Sequence, residues 1–256
     1  MGDIIAIANQ KGGVGKTTTS VNLSACIAHR GKRVLLIDID PQGNSTSGFG
    51  IDKSSNAPTV YDAMVNDTPL SDIIIPTMLN NLYIAPAGVD LVGAEVELVS
   101  AIAREHILKT HLTEIKDDYD YIFIDCPPSL GLLTLNAMTA ADTLLVPIQC
   151  EFYALEGLSQ LMNTVKAVRK HLNTRLSVEG VVLTMFDART NLSLQVVEEV
   201  QRHFNERVYS TLIPRNVRLS EAPSHGLPVI LYDPGCSGAL AYINLCDEFL
   251  SSRTKG

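Results

Sequence analysis

Short aliphatic and β-branched runs alternate along this chain with longer stretches whose apolar positions recur every three to four residues. Residues 4–9 and 33–38 read as buried strands, and the pattern over 17–30 reads as a helix ended by Gly31. A weaker strand follows at 82–85, then a helix over 95–116 that is charged on one face. Residues 121–125, 143–148 and 178–184 are further apolar runs of strand length, with helical patterns at 132–141, 155–172, 192–207 and 237–252. Strands that are apolar throughout are buried on both faces. The chain is therefore expected to form one α/β domain over residues 1–256, a mainly parallel twisted sheet with helices on both faces. Residues 42–81, rich in Ser, Asn, Asp and Pro, are the least regular part. In such sheets ligands bind at the carboxyl ends of the strands. Three runs end there in chemistry: residues 4–9 lead into a glycine cluster, 33–38 end at Asp38 and 121–125 end at Asp125.

Composition changes this picture little. With 46% hydrophobic and 19% charged residues, the 256-residue chain can bury a full core and is not a disordered one. No run approaches the 18 apolar residues of a membrane span. The start, Met1-Gly2-Asp3-Ile4-Ile5, lacks a signal-peptide pattern, and Ala6 stands where myristoylation wants Ser or Thr. The cysteines Cys26, Cys126, Cys150, Cys236 and Cys246 form no Cys-x-x-Cys pair, so they read as free thiols of a reducing compartment. The formal charge of −8 alone speaks against nucleic acid. It is unevenly spread, however. Residues 1–128 hold 9 Lys/Arg and 16 Asp/Glu, whereas 169–218 hold 8 and 5, a net +3. A local basic surface thus stays open on an acidic protein.

Lys11-Gly12-Gly13-Val14-Gly15-Lys16-Thr17-Thr18 stands between a strand and a helix. Glycines let backbone N–H groups converge on phosphate oxygens, and the helix N-terminus adds a favourable dipole. Lys16 is placed to reach β and γ phosphates, and the Thr17 hydroxyl to ligate Mg2+. A plain glycine-rich turn would not need Gly-Lys-Thr-Thr in this context, so the segment reads as a nucleotide site. The usual pattern, Gly-x-x-x-x-Gly-Lys-Thr, fails at its first position, which is Gln10 here.

The second strand runs into Asp38-Ile39-Asp40-Pro41-Gln42-Gly43-Asn44. Alternation puts Asp38 and Asp40 on one side. One can approach the Mg2+ shell and the other can orient an attacking water; alternatively both cap the following loop. Ile122-Phe123-Ile124-Asp125 is an apolar strand ending in an acid, the arrangement that holds Mg2+ through water. Cys126 reads as a packed neighbour, not a nucleophile.

With Lys11 at its start, the loop reads Lys-Gly-Gly-x-Gly-Lys-Thr and resembles the deviant Walker A motif of the ParA/MinD/nitrogenase iron protein group. The resemblance covers the whole chain. It includes the 38–44 segment, Asp125-Cys126-Pro127-Pro128-Ser129-Leu130-Gly131 and Glu151-Phe152-Tyr153-Ala154-Leu155-Glu156-Gly157. Ile213-Pro214-Arg215-Asn216-Val217-Arg218 and Pro223-Ser224-His225-Gly226 complete it. The match is to the ParA family of chromosome-partitioning ATPases, in its small chromosomal Soj form. Those proteins lack an N-terminal helix-turn-helix extension, and a loop beginning at residue 11 leaves no room for one.

The resemblance implies a phosphate-loop NTPase fold of the deviant type, with ATP and Mg2+ as cofactors. ATP is favoured because no Asn-Lys-x-Asp guanine segment is found. Lys11, Lys16 and Asp40 are the implied catalytic residues, with Asp40 required for hydrolysis. Thr17, Asp125 and Asp38 are the implied metal residues. Lys11 would cross to the nucleotide of a facing subunit in a sandwich homodimer, stabilising charge as an arginine finger does. Gly12 would leave room for that subunit. Pro214 and Asn216 would lie at the adenine, although the same segment could be only a turn.

The implied partners are non-specific DNA of the nucleoid and a ParB-type centromere-binding protein that stimulates hydrolysis, in the cytoplasm. The replication initiator protein and sporulation genes are implied regulatory targets. Arg189 and Arg218, in the net-positive segment, are the residues expected at DNA, with Arg215 and Lys166 weaker; each could instead be an ordinary surface ion-pair residue. A MinD-like membrane cycle is the alternative, but the tail over 246–256 carries two acids, two bases and few apolar anchors. Cys126 and Cys150 lack the glycine-rich contexts of the iron proteins. A nucleotide-holding scaffold would not need Lys11, Lys16 and Asp40 together. A small-molecule kinase or amidoligase shares the loop, but no acceptor motif supports it.

Overall fold

The computed structural model describes residues 2–53, 57–151, 154–204 and 207–253, without the side chain of Glu156. Phe152 and Tyr153 of the quoted motif and residues 254–256 of the tail lie outside the described residues. The first half runs β1 (Asp3–Ile7), α1 (Lys16–His29), β2 (Val34–Asp38), α2 (Asn44–Gly48), α3 (Val60–Asn66), α4 (Leu70–Ile73), β3 (Ile75–Pro76), β4 (Leu82–Ala85), α5 (Leu91–Glu97), α6 (Ile107–Ile115) and β5 (Tyr121–Asp125). Then follow α7 (Leu132–Ala140), β6 (Thr143–Gln149), α8 (Ala154–His171), β7 (Ser177–Thr184), α9 (Asn191–Phe204), α10 (Val217–Glu221), α11 (Val229–Tyr232) and α12 (Ser237–Arg253).

The sheet order is β3-β4-β2-β5-β1-β6-β7, parallel throughout except for the two-residue edge strand β3. Side chains alternate across each strand, so the sheet divides its own residues between two cores. Ile4, Ala6, Leu35, Ile37, Ile122 and Ile124 pack with Leu112, Leu133 and Leu161 on one face. Ile5, Ile7, Val34, Leu36 and Phe123 pack with Leu23, Ile27, Tyr242 and Phe249 on the other. The apolar runs are continuous because both faces are covered. β1 sits between β5 and β6, so strand order reverses at it. Ile7 pairs with Asp125 and Asp38 pairs with Asp125 in register, which brings the ends of three strands to one edge.

Two expectations change. The helix expected over 95–116 is broken. α5 ends in a 3-10 turn at Leu98–Ser100 before α6 begins. Ala103 between them is left-handed (φ 52), and Arg104 Nη1 caps back onto the Val99 carbonyl at 2.8 Å. Asn136 then accepts from the Leu108 amide at 3.2 Å and donates to the Arg104 carbonyl at 2.8 Å. Residues 42–81, expected to be irregular, hold three short helices and the antiparallel strand β3. Of these, α3 and α4 pack through Val60, Ala63, Leu70 and Ile73 onto the same core as α6, while Ile75 of β3 packs against the other core. All five cysteines are free thiols. Among the described residues, no helix is long and apolar enough to cross a membrane.

Candidate nucleotide-binding site

The loop between β1 and α1 turns on two left-handed glycines, Gly13 (φ 74) and Gly15 (φ 88), a conformation that side chains disfavour. Gly15 is the N-cap of α1 and supplies no side-chain cap. The first amides of this 14-residue helix therefore point into the loop with the positive end of its dipole. Val14 is buried, and its carbonyl accepts from the Thr184 hydroxyl of β7 at 2.8 Å. The Lys11 amide donates to Asn9 Oδ1 at 3.0 Å, while Asn9 Nδ2 donates to the Pro147 carbonyl at 2.8 Å. The loop is thus anchored to the neighbouring strands β6 and β7.

Lys16 is buried, with its Nζ donating to the Lys11 carbonyl at 3.1 Å. Burial pulls its ammonium below the usual lysine range, and the Asp125 and Asp40 carboxylates oppose that pull. Asp125 accepts from Ser20 Oγ at 2.9 Å and Ser45 Oγ at 2.7 Å, and the nearby Thr17 hydroxyl, with these two, favours its charged form. Burial nevertheless pushes Asp125 above the usual carboxylate range. Burial and the facing Asp125 carboxylate do the same to Asp38. Among the described residues, Lys16 is the one buried Lys or Arg; Asp125 and Asp40 act on it directly, and Asp38, the third buried carboxylate, lies beside Asp125. Among the described residues no three acids converge into a metal cage; the Asp125 carboxylate beside the Thr17 hydroxyl instead offers the few protein oxygens that Mg2+ takes when it keeps waters and binds phosphate oxygens.

Asp38 and Asp40 play different parts. Asp38 Oδ2 accepts from both the amide and the hydroxyl of Thr46, each at 2.8 Å, and Oδ1 accepts from the Asp40 amide at 3.2 Å. Its carboxylate therefore holds the segment leading into α2. The Asp40 carboxylate has one local bond, accepting from the Gln42 amide at 2.9 Å. Cys126 is buried, and burial pushes its thiol far up, so it packs beside Asp125 without nucleophilic character.

A cavity of about 470 Å3 opens beside the loop, lined by Gly15, Thr17, Thr18, Thr184, Met185, Pro214, Arg215, Asn216 and Tyr242, among others. It brings the helix start together with the Pro214–Asn216 segment, which lies far away in sequence. Asn216 caps α10: its Oδ1 accepts from the Arg218 amide at 2.8 Å, and its Nδ2 donates to Ser237 Oγ at 2.7 Å. Lys11 points away from this cavity and pairs with Glu151. A Cβ on Gly12 would meet only Pro128, at 3.9 Å, so nothing inside the subunit demands glycine there.

Arg189 and Arg218 lie outside the cavity. Arg189 has its side chain 88% exposed and pairs in a fork with Asp187, at 2.9 and 2.8 Å. That pairing holds the Asp187 carboxyl at about 2. Arg218 pairs with Glu221 at 2.8 Å and Asp233 at 3.2 Å. Arg215 and Lys166 are exposed. Sequence reasoning missed Ser20, Ser45, Thr46, Thr184 and Met185. Ser20 lies one helical turn beyond Lys16 and was open to detection by that spacing. Ser45 and Thr46 reach the carboxylates only through the tertiary fold. Met185 enters the cavity with a left-handed backbone (φ 52) that no residue pattern announces.

Comparison with known proteins agrees with this geometry. A family model described as an AAA domain matches residues 2–178. The chain is 64% identical to the sporulation initiation inhibitor protein Soj of Bacillus subtilis (strain 168), over 97% of this chain and 98% of that protein. It is 50% identical to the chromosome-partitioning ATPase Soj of Treponema pallidum (strain Nichols), over 98% of each. A crystal structure of cobyrinic acid a,c-diamide synthase from Mycobacterium smegmatis with bound ADP and magnesium superposes with a TM-score of 0.87. That protein is 36% identical, and the match covers 99% of this chain and 96% of that one. By its residues, its site and these matches, the chain belongs to the ParA/Soj family of chromosome-partitioning ATPases.

Proposed function

We propose that this protein is the Mg2+-dependent ATPase of a chromosome-partitioning system, working as an ATP-dependent homodimer. The observation that carries the reading is the buried charge imbalance at the strand ends: one lysine against three carboxylates, beside an uncapped helix N-terminus. Gly12, Gly13, Val14 and Gly15 present the loop amides to phosphate, and Lys16 and Thr18 complete the cradle. Thr17 and Asp125 hold Mg2+, and Asp38 acts at the edge of the metal site through the segment it ties down. Pro214 and Asn216 receive the adenine in the 470 Å3 cavity. Asp40, with one local bond, is the carboxylate left to orient water. When bound, ATP and Mg2+ supply the transferable phosphoryl group and the charge that steadies it.

Lys11 acts across the dimer. Its pair with Glu151 is partly exposed, so exchanging it for a phosphate of the facing subunit costs little, about 0–1 kcal/mol. The open space around Gly12 supports a constraint from outside the subunit. Arg189 and Arg218 would trade partly exposed carboxylate partners for DNA phosphates, giving a cytoplasmic, nucleoid-associated protein released when a ParB-type protein stimulates hydrolysis. The replication initiator remains a further proposed partner.

The test is ATP turnover, and mass in solution with ATP and with ADP, for the native protein and Lys16→Ala. Turnover and an ATP-specific dimer in the native protein, both lost in Lys16→Ala, support the reading. An amide-forming ligase is the second reading, favoured by the diamide synthase likeness. Its 36% identity stands well below the 64% to Soj. ATP turnover that required an organic acid and an amine donor would favour it.

A further inference from the structure

The nucleotide reading makes no use of a row of exposed apolar side chains on α5 and the turn after it. Among the described residues, eleven large hydrophobic side chains are exposed, and five of them fall within residues 89–102: Val89, Val92, Val96, Val99 and Ile102. Their exposures run from 58% to 96%. The spacing of four and three residues puts Val92, Val96 and Val99 on one face of α5 and its 3-10 turn, with Val89 just before the helix and Ile102 just after the turn. The opposite face, with Leu91, Ala94 and Leu98, is buried in the core, so the element is apolar on both sides. An exposed contiguous apolar strip of this kind marks an interaction site on a soluble protein.

Acids flank the strip on both sides. Glu97 lies toward α3, where its carboxylate accepts from the Tyr61 hydroxyl at 3.0 Å. Asp90, seven residues earlier, lies on that same side. Glu95 lies on the other side, its carboxylate packed against Gly131 at the start of α7. One Glu95 oxygen is buried without a hydrogen-bond partner. The one basic residue nearby, Arg104, is paired with Glu105 at 2.9 Å.

We infer that this strip docks an amphipathic helix from a protein partner, one whose apolar face is flanked by lysines or arginines. The charge pattern selects this occupant over a second copy of the chain. Two copies face to face would bring acids onto acids, which is destabilising, whereas basic flanks would pair with Asp90, Glu95 and Glu97. A helix laid on an apolar face is a common mode of peptide recognition. The strip adjoins the phosphate-loop face, because Glu95 rests on Gly131 and Gly12 neighbours Pro128 of the same 127–131 loop. The inference goes beyond the ATPase reading and needs no nucleotide.

The test uses a synthetic amphipathic helical peptide with a leucine face flanked by lysines, and the same peptide with glutamates for lysines. Binding is read by fluorescence anisotropy on the full-length native protein and on Val92→Glu/Val96→Glu. Both substituted side chains are exposed, and circular dichroism and thermal unfolding check that the fold is kept. The lysine peptide should bind the native protein at least tenfold more tightly than the glutamate peptide. It should also lose at least tenfold on the double variant, although that variant is the more acidic protein. This second comparison separates seating on the strip from general attraction to a negative surface. Equal binding to the double variant, or no binding to the native protein, overturns the inference. A nucleotide-free dimer of the native protein that the double variant abolishes would also overturn it, making a second copy the occupant. Failure of the ATPase reading would leave all these outcomes intact.

Discussion

The strand-end site and the arginine surface at 187–221 carry charge in opposite ways. At the strand ends Lys16, Asp38, Asp40 and Asp125 are buried, and the carboxylates of Asp38 and Asp125 accept three and two hydrogen bonds from neighbouring residues. Removing one partner there leaves an uncompensated charge in a dry setting, which is costly. At 187–221 the arginines, themselves exposed, pair with partly exposed carboxylates, where such pairs contribute about 0–1 kcal/mol. The first arrangement is built for one ligand in one geometry. Under the proposed function the second would exchange its carboxylates for phosphates at small cost, as contact with any DNA sequence requires. The difference predicts all-or-none losses in the first region and graded, salt-dependent ones in the second.

The largest effect belongs to Lys16→Ala, which should remove measurable ATP binding in an equilibrium assay; ordinary affinity would place the phosphates elsewhere. Asp40→Ala comes next. It should keep ATP binding while turnover falls by 100-fold or more, read as phosphate release. Weak ATP binding in that variant would move Asp40 from catalysis to binding.

Asp125→Asn tests the buried charge without nucleotide. Burial raises the folded-state pKa of Asp125 above its unfolded value. The native protein therefore loses stability on that account as pH rises from the ordinary carboxylate range toward neutrality. The asparagine carries no such charge. Relative to the native protein the variant should gain stability with pH, by about 1 kcal/mol for each unit of raised pKa, and lose the gain toward pH 4. Urea unfolding at several pH values measures it. A difference that does not change with pH would show that Asp125 is not strained by its charge.

The smallest effect lies on the surface. Arg189→Ala and Arg218→Ala should each leave ATP-dependent dimerisation intact and weaken duplex DNA binding on every sequence. Each should lower the log–log salt slope by roughly 1.8 per dimer. A salt series of DNA affinities checks this, and an unchanged slope would mean that the arginines serve only their ion pairs with Asp187, Glu221 and Asp233.

The same contrast explains what was legible in the sequence. Gly13, Gly15, Lys16 and Thr17 announce themselves because backbone conformation, phosphate and metal each demand one residue type at one spacing. The apolar runs of β1, β2 and β5 were legible for a similar reason, since burial on both faces leaves no polar position. Ser45 and Thr46 were not legible, because any short polar loop could contain them and only the packing of α2 brings them to Asp125 and Asp38. The break after α5 was hidden because the apolar period continues through Val96 and Val99, while the left-handed turn at Ala103 is held by Asn136 from α7. Arg189 and Arg218 were legible as basic residues, but their carboxylate partners emerge only from the folded loops.

The central claim, that this site makes a nucleotide-switched dimer, is tested most directly by the mass in solution of Asp40→Ala with Mg2+ and either ATP or ADP. The account predicts a dimer of twice the 27.8 kDa chain in ATP and a monomer in ADP. The same mass in both nucleotides, or a monomer in ATP with the nucleotide bound, would contradict it.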